Sequence, residues 1–265
     1  MVKHLPKYRT PGTPGMVICK PIEPGAVINK EDHKLYRQGV GMLLYLQKYS
    51  RPDISNAVRE LAKGMQTPTP NAFKELKRVL KFVIDKKNLG LRMEPTIDKS
   101  QNWDMETFTD SDWAGDKDTR RSVSGFILFL LKCPICWKSR QQDVISLSSS
   151  EAEIYACSDA VKEIMFMSHV LNSMRISFKT PIVIRVDNVG AIFMAENITA
   201  SKRTKHVDVG TKYITYHVEN GFIKIKFVKS EENLSDGFTK NVTGDTYERH
   251  LKSFVDDRDF VDRET

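Results

Sequence analysis

The sequence predicts a mixed α/β sheet domain of order βββαβαβα behind a small helical module. Three observations carry that prediction. Past residue 102, short alternating or wholly apolar runs have the length of strands and are bounded by turn residues. The segments joining the later runs are apolar at helical spacing and long enough to act as crossovers. Between residues 31 and 90, by contrast, apolar residues recur near three- and four-residue intervals, the period of helices.

Taken in order, residues 1–30 are rich in Pro and Gly and read as an irregular arm. Residues 31–100 read as a helical, basic module with three helices. "HKLYRQGVGMLLYLQKYS" spaces Leu35, Val40, Leu43, Leu44 and Leu46 for one helix. "RPDISNAVRELAKGM" opens on an early Pro and repeats Ile54, Val58, Leu61 and Met65. "TPNAFKELKRVLKFVIDKKNLG" repeats Phe73, Leu76, Leu80 and Val83 and ends in lysines and Gly90. Residues 101–243 form the sheet domain. "METFTD", "SVSGFILFLL" and "CPICWKSRQQ" are its first three strands. "SSSEAEIYACSDAVKEIMFMSHVLNSM" is a long helix with Ser available as N-cap. "PIVIRVDN" is a strand apolar enough for a sheet centre. "VGAIFMAEN" and "HVDVGTKYITYHVENG" are helices, "FIKIKFVKS" is the last strand, and "ENLSDGFTKNV" starts a last helix. Residues 244–265 read as a charged tail.

Charge divides along the same line. The 265 residues carry a net charge of +7. Residues 1–100 hold 19 Lys/Arg against 9 Asp/Glu, and residues 101–265 hold 22 against 25. A basic first part and a slightly acidic second part suit a polyanion held by one and acted on, through cations, by the other. No run of eighteen apolar residues is present, so no membrane span is expected. The basic start lacks the apolar stretch of a secretory signal. The 4 cysteines are irregularly spaced, which points to a reducing, intracellular compartment rather than a disulfide framework.

The informative acids sit at element ends. Asp110 ends the first strand and Asp187 the apolar one. Glu151 and Glu153 lie at the start of the long helix, and Asp236 begins the last. If the first and fourth strands are neighbours, Asp110 and Asp187 emerge side by side. Two such charges about 5 Å apart repel by roughly 3 kcal/mol at an effective dielectric near 20. Bound divalent cations remove that penalty, and all-oxygen ligation favours Mg²⁺ or Mn²⁺ over Zn²⁺.

"FTDSDWAGDKDTRRSVSGFILFL", "CPICWKSRQQDVISLSSSEAEIYA", "IRVDNVGAI" and "RTKHVDVGTKYI" with "ENLSDGFTK" resemble the ribonuclease H domain of Ty1/copia-type retrotransposon Pol polyproteins. "YRQGVGMLLYLQKYSRPDISNAVRELAKGMQTPTPNAFKELKRVLKFV" resembles the end of the reverse transcriptase that precedes it. The resemblance covers residues 34–241. It implies a ribonuclease H-like fold and metal-dependent hydrolysis of the RNA strand of RNA–DNA hybrids. It also implies a four-acid, two-ion site of Asp110, Glu153, Asp187 and Asp236 binding Mg²⁺ or Mn²⁺. "SEAE" offers two glutamates about 200° apart on a helix. The family places a bulky apolar residue and then a small one after its glutamate, which "AEIYA" matches at Glu153, with Glu151 the alternative. Asp112 and Asp116 read as turn residues.

In such a site one ion activates the attacking water and the other steadies the leaving oxygen, about 3.5–4 Å away. Choosing RNA requires reading the 2′-OH across the minor groove. Ser111, Ser148, Ser149 and Asn188 are candidates for that contact, with Arg120, Arg121 and Lys205 for phosphates. Many ribonucleases H carry a histidine ahead of the fourth acid; "FVKSEENLSD" has none, and His206 is too far upstream to stand in. The implied partners are the hybrid and an upstream reverse transcriptase palm, in the cytoplasm within a virus-like particle and in the nucleus. A non-catalytic nucleic-acid-binding remnant of Pol is the alternative reading, and a three-acid recombinase nuclease, which lacks "LSDGFTK", is a third. Cys133-x-x-Cys136 is half a zinc pattern without a second pair. "FVDD" at 254–257 echoes a polymerase motif by chance.

Overall fold

The computed structural model describes residues 2–18, 26–96, 102–196 and 205–257, the side chains of 205–208 and 257 excepted. The chain divides into two compact units. One comprises Met1–Arg92, Lys117–Thr119 and Lys240–Thr265; the other comprises Met93–Asp116 and Arg120–Thr239.

The first unit is helical. Asn29 caps α1 (Lys30–Tyr49) by accepting from Asp32 N at 2.8 Å. Thr69 caps α3 (Pro70–Asp85), whose first residue is a proline that has no N–H to leave unbonded. Between them, a 3₁₀ turn Pro52–Ile54 leads into α2 (Ser55–Lys63). Tyr36, Val40 and Leu43 of α1 meet Val58 and Leu61 of α2 and Leu76 and Phe82 of α3 in one core.

The segment read as a charged tail also enters this core. Gly244–Leu251 is a further helix, α8, and it buries Tyr247 edge-on to Phe82. Tyr247 Oη donates to Asp53 Oδ2 at 2.9 Å, and Asp53 is ion-paired with the buried Arg51. Val255–Asp257, which contains most of "FVDD", pairs antiparallel with the short strand β1 (Leu89–Leu91). The helix is hidden in sequence because only Tyr247, His250 and Leu251 mark its inner face among charged neighbours.

The second unit is a five-stranded mixed sheet. Its strands are β2 (Met105–Asp112), β3 (Val123–Leu130), β4 (Cys133–Gln141), β5 (Ile182–Val186) and β6 (Ile223–Phe227), and Val255–Asp257 of the first unit is β7. The order is β4-β3-β2-β5-β6. The first three strands form an antiparallel meander, while β5 runs parallel to β2 and β6 parallel to β5. The long helix α4 (Ser149–Ser173) connects β4 to β5, and its Ile154, Val161 and Ile164 pack with Met105, Leu128 and Ile184 of the sheet. Helices α5 (Val189–Glu196) and α6 (Lys205–Glu219) connect β5 to β6. This is the ribonuclease H-like arrangement that the resemblance implies.

The predicted last helix shrinks to one turn, α7 (Asp236–Thr239). A 3₁₀ turn, Ser230–Glu232, precedes it, and after that turn the extended, fully buried Asn233 donates its side-chain amide to Thr109 O of β2 at 2.9 Å.

Candidate active site

Parallel pairing places two acids side by side. Phe108 of β2 is in register with Arg185 of β5, and Asp110 and Asp187 each lie two residues further on. The third acid arrives from α7. Asn233 Oδ1 accepts from the backbone N and the Oγ of Ser235, and Asp236 N donates to Asn233 O at 3.1 Å, so the loop is fastened directly beside Asp110. One carboxylate oxygen each from Asp110, Asp187 and Asp236 lie within 4.8 Å of one another. Asp110 and Asp236 are buried, and Asp187 is half-buried.

The start of α4 shows why its two glutamates differ. Ser148 Oγ accepts from Glu151 N at 3.1 Å, and Glu151 Oε2 accepts in return from Leu147 N at 2.7 Å. This reciprocal capping engages the Glu151 carboxylate at the helix end. Glu153, on the next turn and 3 % exposed, turns toward β2. Its Oε1 accepts from Ser111 N at 2.9 Å and Ser111 Oγ at 3.0 Å, while its buried Oε2 has no hydrogen-bond partner among the described residues. Burial, and then the charges of Asp110 and Asp187, push the Glu153 carboxyl well above the usual carboxylate range; the Ser111 bonds oppose that shift. Four carboxylates from four elements thus converge at one end of the sheet, with oxygen donors only. That donor set fits a hard divalent cation such as Mg²⁺ or Mn²⁺.

The other predicted contacts fall as follows. Ser111 serves Glu153, and Ser148 is the N-cap of α4. Ser149 is exposed, with its Oγ 3.5 Å from Asn188 Nδ2. Asn188 Oδ1 accepts from Ser150 Oγ at 3.1 Å and from Ala191 N at 3.0 Å, joining the starts of α4 and α5. Arg120 and Arg121 are exposed in the loop between β2 and β3. Lys205 opens α6, and its side chain and that of His206 lie outside the described residues. Asp116 is buried and accepts from Gln141 Nε2 at 2.7 Å, and Asp112 closes β2. Cys133 and Cys136 lie in β4, where burial pushes the Cys136 thiol up to about 11. Such a thiol is a poor source of the thiolate that zinc needs.

Sequence reasoning missed two side chains that hold the acids. Ser230 Oγ donates to Asp187 Oδ2 at 2.6 Å, and Thr239 Oγ1 donates to Asp110 Oδ2. The only sequence signal for Thr239 is its place three residues after Asp236.

A sheet of this order, with acids from β2, α4, α7 and the residue after β5 gathered at one end, has the ribonuclease H-like fold. The chain is 34 % identical over 205 residues to the Retrovirus-related Pol polyprotein from transposon RE1 of Arabidopsis thaliana, covering 77 % of this chain and 14 % of that protein. It is 28 % identical over 213 residues to the Pol polyprotein from transposon TNT 1-94 of Nicotiana tabacum, covering 80 % and 16 %. The chain is thus homologous to part of the Ty1/copia-type retrotransposon Pol polyproteins. It therefore spans about one seventh of the length of these relatives. No protein-family model matches it. The crystal structure of LC11-RNase H1 in complex with RNA/DNA hybrid superposes with a TM-score of 0.38 at 11 % identity, over 51 % of this chain and 93 % of that one.

Proposed function

We propose that this chain is the ribonuclease H part of a copia-type Pol polyprotein. It hydrolyses the RNA strand of RNA–DNA hybrids with divalent cations, Mg²⁺ or Mn²⁺. The observation that carries this reading is the meeting of the Asp110, Asp187 and Asp236 oxygens within 4.8 Å, with Glu153 pressed against the same group. Those four acids would hold the cations. When bound, such ions supply Lewis-acid activation and charge neutralisation for phosphodiester hydrolysis.

The chain's own residues do the rest. Ser111 orients Glu153, and Asn233 fixes the loop that delivers Asp236. In this reading Ser149 and Asn188 contact a ribose 2′-OH, and Arg120, Arg121 and Lys205 contact phosphates. Residues 36–83 resemble the end of a reverse transcriptase, so the covalent neighbour in this reading is a polymerase palm.

The test is cleavage of a hybrid labelled on its RNA strand, with Mg²⁺, with Mn²⁺ and with EDTA. Cleavage is expected with either ion and not with EDTA. Asp110→Asn or Asp187→Asn should lower it by at least about a hundredfold, as loss of metal support does. Cleavage that persists in EDTA, or in both variants, would overturn the assignment. Binding of hybrid without cutting under any condition would make the chain a nucleic-acid-binding remnant instead.

A further inference from the structure

We propose that Thr239 is a positioning residue for Asp110, its hydroxyl holding that carboxylate in the orientation in which it joins Asp187 and Asp236. The proposal rests on the reading of these acids as a cation-holding site. Three observations carry it. First, the contact is buried at both ends: Thr239 is 1 % and Asp110 3 % exposed, and Thr239 Oγ1 donates to Asp110 Oδ2. A serine or threonine hydroxyl has a single proton. Thr239 Oγ1 also lies 3.1 Å from Asp236 O, but a charged carboxylate is the stronger acceptor and takes the proton.

Second, the threonine cannot drift. Asp110 is paired across the sheet with Gly125, and a Cβ on Gly125 would stand 2.8 Å from both Phe238 Cβ and Thr239 Cγ2. The methyl group of Thr239 is therefore seated on the bare backbone of β3, opposite the acid that its hydroxyl reaches. Third, the same turn of helix begins with Asp236. A single four-residue element thus brings in one acid and restrains another, so the spacing between the two is set by α7 rather than by the sheet alone. Partners that orient metal-ligating groups typically change metal affinity or activity by about 10–100-fold when lost.

Two substitutions separate the hydroxyl from the methyl group. Thr239→Val keeps the shape and removes the donor, whereas Thr239→Ser keeps the donor and removes the methyl group. The readouts are the rise in melting temperature as Mn²⁺ or Mg²⁺ alone is titrated in, and kcat and KM for hybrid cleavage. Thr239→Val should need about 10–100-fold more cation for half of the thermal shift and should lower kcat with KM little changed. Thr239→Ser should stay close to the native protein in both. An unaltered cation titration in Thr239→Val would overturn the role. So would a Thr239→Ser variant as impaired as Thr239→Val, because packing on Gly125 would then be the whole contribution. A native chain that shows neither a cation-induced shift nor cleavage removes the underlying reading as well, which distinguishes that failure from a failure of Thr239 alone.

Discussion

Glu153 is buried with one oxygen satisfied by Ser111 and the other without a hydrogen-bond partner among the described residues, and two further acids stand nearby. Its proton is therefore held more tightly in the folded chain than in the unfolded one. Between the ordinary carboxylate value and the raised folded value, the native state binds more protons, so stability falls as pH rises through that window. In EDTA, Glu153→Gln should melt higher than the native protein near pH 8, and the two should converge near pH 4. A native protein that melts higher than the variant at pH 8 without cations would refute the coupling. Glu151→Gln should behave differently: glutamine can still accept from Leu147 N, so cleavage should be largely retained while Glu153→Gln loses it. The reverse pattern would transfer the ligand role to Glu151. At this scale the sequence was informative about positions, since an acid at a strand end or in a helix's first turns is visible as such. Whether Glu151 turns back on its own helix, and which acid Thr239 reaches, depends on contacts between elements and leaves no mark in local sequence.

α7 shows how little secondary structure a site needs when the packing is close. The turn has only four residues, yet Phe238 and Thr239 are buried against β3, where Gly125 has no side chain to hold them off. Gly125→Ala should force α7 outward by several tenths of an ångström or more. Overpacking of this kind costs about 1–3 kcal/mol, and a misplacement approaching 1 Å can lower turnover about a hundredfold. Circular dichroism should remain that of the native fold while the cation-induced thermal shift and hybrid cleavage fall together. Native levels of both would mean that α7 does not depend on this contact. The five strands and α4 were readable because their apolar runs are long and their periods clear. α7 begins at Asp236, as the sequence indicates, but "ENLSDGFTKNV" has the composition of a longer helix than the single turn that forms. α8 was missed for the opposite reason, since its few apolar positions are scattered among charges and gain meaning only from the Phe82 and Asp53 that Tyr247 meets.

Across the whole molecule the charge separates by unit much as it does by sequence position. The first unit carries 24 Lys/Arg against 15 Asp/Glu, and the second carries 17 against 19. The second unit also concentrates negative charge at the site, so in the absence of cations its field opposes a duplex polyanion. Most of the affinity for a hybrid should then come from cations of the first unit, each phosphate neutralised releasing a counterion. Lys34, Arg37 and Lys48 are exposed on α1, and the core of that helix is formed by Tyr36, Val40 and Leu43, so changing the three to Gln leaves its packing intact. Binding is best measured in Ca²⁺ or EDTA, where cleavage does not intervene, as log affinity against log salt. If all three residues contact phosphate, the slope should become shallower by about 2–3, given roughly 0.7–0.9 per contact. Affinity should fall most at low salt and the two proteins should converge as salt rises, because screening removes what the substitutions removed. Equal slopes for the native and triple-variant chains would show that Lys34, Arg37 and Lys48 of α1 do not contact nucleic acid.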